Sequence, residues 1–173
     1  FKWAGYDLVY ANEVDKAASS TYRYNLGSHI DNRSIADVNI EELPDHDLLI
    51  GGFPCQPFSY AGKRKGLEDK RGLLFFCLIE GLYIKQPKFF IFENVKGLTT
   101  HDNGKTLYNV KRAIADAGYK LSYSVLDAED FFCPQSRQRL FLVGVRKDIG
   151  LHFEFPAFRF PPVSVRSAIG DIT

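Results

Sequence analysis

Residues 47–57, Asp-Leu-Leu-Ile-Gly-Gly-Phe-Pro-Cys-Gln-Pro, decide how the chain is read. The first part, ending at Phe53, is a short apolar run of β-strand character. The second part turns abruptly into two prolines that bracket a cysteine and a glutamine. A lone cysteine is most often a small buried hydrophobe. Cys55 is read differently, because two glycines precede it and prolines stand close on both sides, which is loop chemistry beyond the end of a strand. A thiol in that place is presented to a ligand rather than packed away.

Outward from this stretch, similar runs rich in β-branched and aromatic residues recur at 6–11, 89–92, 121–126 and 140–145. Helix-like segments lie between several of them, at 15–26, 72–85 and 104–117, the last followed by Gly118 as a stop. Such alternation specifies an α/β fold with a doubly wound, mostly parallel sheet. The last two strand candidates are separated by about a dozen residues with Pro134 among them, which is short for a helical crossover, so they are expected as an antiparallel hairpin at the sheet edge. From 153 to 162, Phe and Pro alternate irregularly, which predicts a tail that packs over the domain or leads into another.

Composition sets the outer limits. A chain of 173 residues is about one domain by the usual prior, and 45% hydrophobic content supplies a core. No apolar run approaches the roughly 18 residues of a membrane span, and the N-terminus lacks the pattern of a signal peptide, so no membrane partner is expected. Three cysteines at wide spacing suit neither a disulfide framework nor a metal ladder, and the four histidines form no close pair. No metal is therefore expected. Cys77 lies in an apolar helix and reads as core, while Cys133 stays open. A net charge of +1 gives no electrostatic argument for nucleic acid, which must come from motifs. Methionine is absent, even at position 1, so the chain is expected to be part of a longer protein.

In open α/β sheets ligands bind beyond the carboxyl ends of the strands. There the sequence places Asn12-Glu13, then Gly51 to Pro57, then Glu93-Asn94-Val95, and the hairpin would bring Arg137 and Arg139 to the same rim. Two acids, a thiol and two arginines thus converge. Glu93 follows Phe89-Phe90-Ile91-Phe92, a run typical of a strand buried on both faces, so its carboxylate is expected to be partly desolvated and suited to proton donation. Residues 59–71 carry Lys63, Arg64, Lys65, Lys70 and Arg71 against Glu68 and Asp69. Beside a nucleophile they read as a lid that meets phosphates. Gly104-Lys105-Thr106 is not a phosphate loop, because position 99 is Thr rather than the required Gly.

Taken together, Gly52-Phe53-Pro54-Cys55-Gln56-Pro57-Phe58-Ser59, Glu93-Asn94-Val95 and Gln135-Ser136-Arg137-Gln138-Arg139 resemble, in order and spacing, the nucleophile, acid and arginine motifs of the DNA cytosine-C5 methyltransferases. Asn12-Glu13-Val14-Asp15, Asp37 and His101-Asp102-Asn103-Gly104 add supporting similarity, and the resemblance runs from Ala4 to about Asp171. It implies a Rossmann-like fold dependent on S-adenosylmethionine and a covalent reaction on a flipped-out cytosine in double-stranded DNA. By this resemblance Cys55 would add to carbon 6, so that carbon 5 becomes able to take the methyl group. Glu93 would protonate or hydrogen-bond N3. Arg137 would hold the O2 edge, and Arg139 would support the pocket.

The resemblance also implies cofactor contacts at Glu13 for the ribose, Val14 against the adenine, Asp37 for its amine, and Phe53 and Leu74 nearby. Pro54, Gln56, Ser59, Lys63, Arg71 and Asn94 would lie on the DNA side. The chain is expected to be the catalytic, large domain over 1–173, N-terminally truncated and inactive alone. The glycine-rich cofactor strand, target-recognition domain and C-terminal helix would come from the rest of the protein. The motif spacing resembles bacterial restriction-modification enzymes, which implies a cytoplasmic, nucleoid-associated location, or a nuclear one in a eukaryote. A tRNA-methylating branch and a non-catalytic DNA-binding homologue are the alternatives.

Overall fold

The computed structural model describes residues 1–54, 70–157 and 159–171. Among the described residues, ten α-helices and β-strands follow in chain order. They are β1 (Ala11–Asn12), α1 (Lys16–Leu26), β2 (Ile30–Asp31), β3 (Leu48–Gly52), α2 (Lys70–Lys85), β4 (Phe89–Val95), α3 (Lys105–Asp116), β5 (Tyr119–Asp127), β6 (Gln138–Arg146) and α4 (Val165–Ile169). β1 and β2 form a small parallel pair, and the other strands form a four-stranded sheet in the order β3-β4-β6-β5. β3 and β4 run parallel, whereas β6 is antiparallel to both β4 and β5. The fold is α/β, with parallel strands and an antiparallel hairpin at one edge.

The sheet has two unlike faces. Phe90 and Phe92 point to one side, where they stack at 4.3 Å and share a core with Leu140 and Leu142 of β6. Both helices that follow β3 and β4 cover this side. α2 contributes Phe75, Ile79 and Leu82, and α3 contributes Leu107, Val110 and Ile114, each set spaced by three or four residues so that one stripe meets the sheet. Cys77 is buried on α2 as expected, and burial pushes its thiol up. The Tyr119 hydroxyl, at the start of β5, donates to the Pro87 carbonyl at 2.7 Å and ties the hairpin to the entry of β4. Burial drives that phenol up to about 12. The opposite face carries the tail, where Ser122 Oγ donates to the Phe153 carbonyl.

The expected first strand differs. Residues 6–10 run without pairing, and the ladder forms only at Ala11–Asn12, where Ile30–Asp31 lies alongside. An apolar run becomes a strand only where a neighbour accepts its backbone hydrogen bonds. Instead, residues 6–13 line one wall of a trench of about 710 Å³ whose other wall is β3. The edge of β3 facing away from β4 has no strand beside it among the described residues.

Candidate active site

The site is built where β4 ends. Parallel pairing sets Gly52 of β3 beside Glu93, and antiparallel pairing sets Phe141 of β6 on its other side. In the same register Arg139 lies opposite Val95, two residues further along the same face. Arg139 reaches back to Glu93, and its Nε stands 2.8 Å from Glu93 Oε1. A Cβ placed on Gly52 would lie 3.4 Å from Glu93 Oε2, so the carboxylate hangs over the strand end that leads into Phe53, Pro54 and Cys55. Glu93 is partly buried, as expected: its side chain keeps 41% of its surface exposed on the face opposite the two helices, where an arginine holds it.

Asn94, one residue on, points the other way. It is 2% exposed, and its Nδ2 donates to the Phe53 carbonyl at 2.7 Å while its Oδ1 accepts from the Val95 N–H at 2.8 Å. Its expected contact with DNA is thus replaced by a tie between β4 and the turn after β3. Phe53 itself is 5% exposed, with its ring 5.1 Å from Phe75 and 6.4 Å from Phe92, so it braces the turn from within the core. Pro54 is exposed.

Arg137 is exposed, one residue before β6, and its guanidinium makes no hydrogen bond or ion pair among the described residues. Lys96 Nζ donates to Gln138 Oε1 at 2.8 Å and bridges the end of β4 to the same rim. Cys55, Gln56, Ser59 and Lys63 lie outside the described residues, as does the side chain of Arg71.

The cofactor candidates divide. Glu13 and Leu74 both line the trench, together with Asn12, Ile35, Gly51 and Gly52. Glu13 Oε1 accepts from the Asp15 N–H at 2.8 Å, which fixes the carboxylate at the start of α1, where Asp15 caps the helix through the Ala18 N–H. Asn32 Nδ2 donates to the Glu13 carbonyl at 2.9 Å, so β2 holds the same corner. Beside it Arg33 grips Asp31 and holds that carboxyl down to about 2. Val14 is 65% exposed, and Asp37 is exposed at the end of a turn over Ile35–Asp37. Neither lines the trench. Ile35 does, and sequence reasoning missed it; the Ser34 cap that opens its turn is the available signal.

His101-Asp102-Asn103-Gly104 forms the turn into α3. Asp102, Asn103 and Gly104 all adopt the left-handed conformation, which Asn and Asp tolerate better than other side chains. The His101 Nδ1 pairs with the Thr106 hydroxyl at 2.6 Å.

The family model described as C-5 cytosine-specific DNA methylase matches residues 1–173. The Type II methyltransferase M.NlaX of Neisseria lactamica is 44% identical over 166 residues, covering 95% of this chain and 51% of that protein. M.HhaI of Haemophilus parahaemolyticus is 43% identical over 153 residues, covering 88% of this chain and 46% of its own. The chain therefore spans about half the length of these curated relatives. Among solved structures, a protein described as a DNA modification methyltransferase encoded within an E. coli prophage superposes with a TM-score of 0.77 at 26% identity, over 96% of this chain and 49% of that one. The DNMT2 structure of Spodoptera frugiperda, at 22% identity and a TM-score of 0.76 over 96% of this chain and 54% of its own, shares the fold. A match along its whole length makes this chain a member of the C-5 cytosine-specific DNA methylase family.

Proposed function

We propose that the whole protein transfers a methyl group from S-adenosylmethionine to carbon 5 of a cytosine flipped out of double-stranded DNA, through a covalent adduct of Cys55 at carbon 6. The observation that carries this reading is the row of Gly52, Glu93 and Arg139, which holds a carboxylate beside the strand end that runs into Pro54-Cys55. The Cys55 thiolate forms a bond to carbon 6, and Glu93, fixed by Arg139, serves the N3 edge as charge develops there. Carbon 5 would then take the methyl group as the bond from that group to the sulfonium sulfur breaks, leaving the neutral thioether, and would give up its proton to solvent water. The carbon–sulfur bond breaks, returning the thiolate. Arg137, exposed and with its guanidinium unpaired among the described residues, would take the O2 edge of the base.

The trench fits the cofactor by its donor set. Glu13 offers a carboxylate for ribose hydroxyls, Ile35 and Leu74 offer apolar walls, and the volume of about 710 Å³ lies in the usual range for small-molecule clefts. When bound, S-adenosylmethionine supplies an electrophilic methyl group. The open edge of β3 in the same trench supports a further strand there, for which the glycine-rich segment of this family is the proposed occupant. A target-recognition domain and a C-terminal helix from the same protein would complete the DNA site. The relatives' description as Type II methyltransferases supports a restriction-modification role, and a location in the bacterial cytoplasm is part of the proposal. Among the described residues no helix is long and apolar enough to cross a membrane.

The test is Cys55→Ser in the full-length protein with labelled S-adenosylmethionine, offered duplex DNA and tRNA separately. Methylation of DNA by wild type, with loss to background in the variant, is expected. Undiminished cytosine methylation by Cys55→Ser would overturn the covalent role, and methylation of tRNA alone would move the substrate to RNA.

A further inference from the structure

Arg137 lies outside the β-ladder, yet both of its backbone polar groups are held. Asp127, the last residue of β5, accepts the Arg137 N–H on Oδ1 at 2.8 Å, and the next residue, Ala128, donates its N–H to the Arg137 carbonyl at 3.1 Å. The second carboxylate oxygen, Oδ2, accepts from the Ser136 hydroxyl at 3.3 Å. All three contacts converge on two consecutive residues, Ser136 and Arg137.

The rest of the loop is anchored elsewhere. The Asp130 carbonyl accepts from the Phe160 N–H at 2.9 Å, Arg159 pairs with the Asp130 carboxylate, and the Phe132 and Phe160 rings lie 3.9 Å apart. The tail thus fixes 130–132, on the far side of Pro134, and leaves 136–137 to Asp127.

We propose that Asp127 is the positioning residue for Arg137, setting where the guanidinium projects over the target base. This role rests on the cytosine-methylating function proposed above. A bland alternative is that Asp127 merely caps the turn over Ala128–Phe131, since Oδ1 also accepts the Glu129 N–H. The distances favour the arginine, because the Glu129 contact is 3.4 Å and the Arg137 contact 2.8 Å. The same Arg137 N–H is the chief reason the carboxyl is held below its usual value, so at neutral pH the group is an ionised acceptor.

The two roles separate by side-chain reach. Asp127→Ser keeps a hydroxyl able to cap the turn but too short to hold both Ser136 and the Arg137 N–H. Asp127→Asn keeps a carbonyl oxygen for the Arg137 N–H. In the full-length protein, Asp127→Ser is expected to lower kcat/KM for DNA by roughly 10- to 100-fold, the scale of a misplacement of about 1 Å, with KM for S-adenosylmethionine unchanged. Asp127→Asn restores activity to within a few fold. Added to Arg137→Ala, the serine variant causes little further loss, because the group it positions is already gone.

Wild-type protein that methylates no cytosine would overturn the function and this role with it. Wild-type methylation that Asp127→Ser leaves undiminished overturns the positioning role alone, as do losses that multiply in the double variant. Thermal melting accompanies each variant. Should Asp127→Ser fail to fold while Asp127→Asn folds and loses as much activity as Arg137→Ala, the role is likewise overturned.

Discussion

Glu93 and Asn94 are neighbours in sequence with opposite fates. Successive residues of a strand face opposite sides of the sheet, so Glu93 joins Arg139 on the open face while Asn94 turns under the Phe53 carbonyl. The sequence presents the pair as one motif, and the alternation that divides it is visible only once the strand is known to continue to Val95. Asn94→Ala leaves a buried carbonyl without its donor, a loss of about 1–3 kcal/mol. Urea denaturation is expected to show that loss. Because Phe53 leads into Pro54-Cys55, methyl transfer is expected to fall as well, and a variant as stable as wild type would show that the tie carries no load.

At the level of elements, the hairpin β5–β6 and its place beside β4 depend on a close approach that one glycine permits. Gly144 lies opposite Phe90 in the register, and a Cβ there would enter the Phe90 ring, which is fully buried between Phe92 and Tyr119. The ring has nowhere to go. Gly144→Ala is therefore expected to cost roughly 1–3 kcal/mol or more, read as a lowered melting temperature. An unchanged melt would mean that the β4–β6 packing yields more readily than a dense core allows. The antiparallel hairpin was legible from the short connection around Pro134. The failure of 6–10 to form a strand was not, since pairing depends on which backbone lies alongside.

Across the whole molecule, the small β1–β2 unit and the four-stranded sheet face each other over the trench, and Glu13 is one of the acids that line it, held at the start of α1. In the full-length protein, S-adenosylmethionine at about 100 times its dissociation constant would stabilise the fold by about 2.7 kcal/mol. Glu13→Ala is expected to weaken binding by about tenfold and so remove about 1.4 kcal/mol of that gain, seen as a smaller thermal shift with ligand. An equal shift in the variant would place the ribose elsewhere. Some of this was determined by the sequence alone. The α/β alternation, the antiparallel hairpin at the sheet edge and the place of Glu13 just beyond a strand follow from local patterns of period, turn chemistry and spacing. Tertiary structure alone decided that Arg139 holds Glu93, that Asn94 is spent on Phe53, that Asp127 grips Arg137, and that Ile35 lines the same trench as Glu13. Those partners lie between 10 and 46 positions apart, and which of them meet is set by strand register and helix packing, quantities that no local stretch of chain contains.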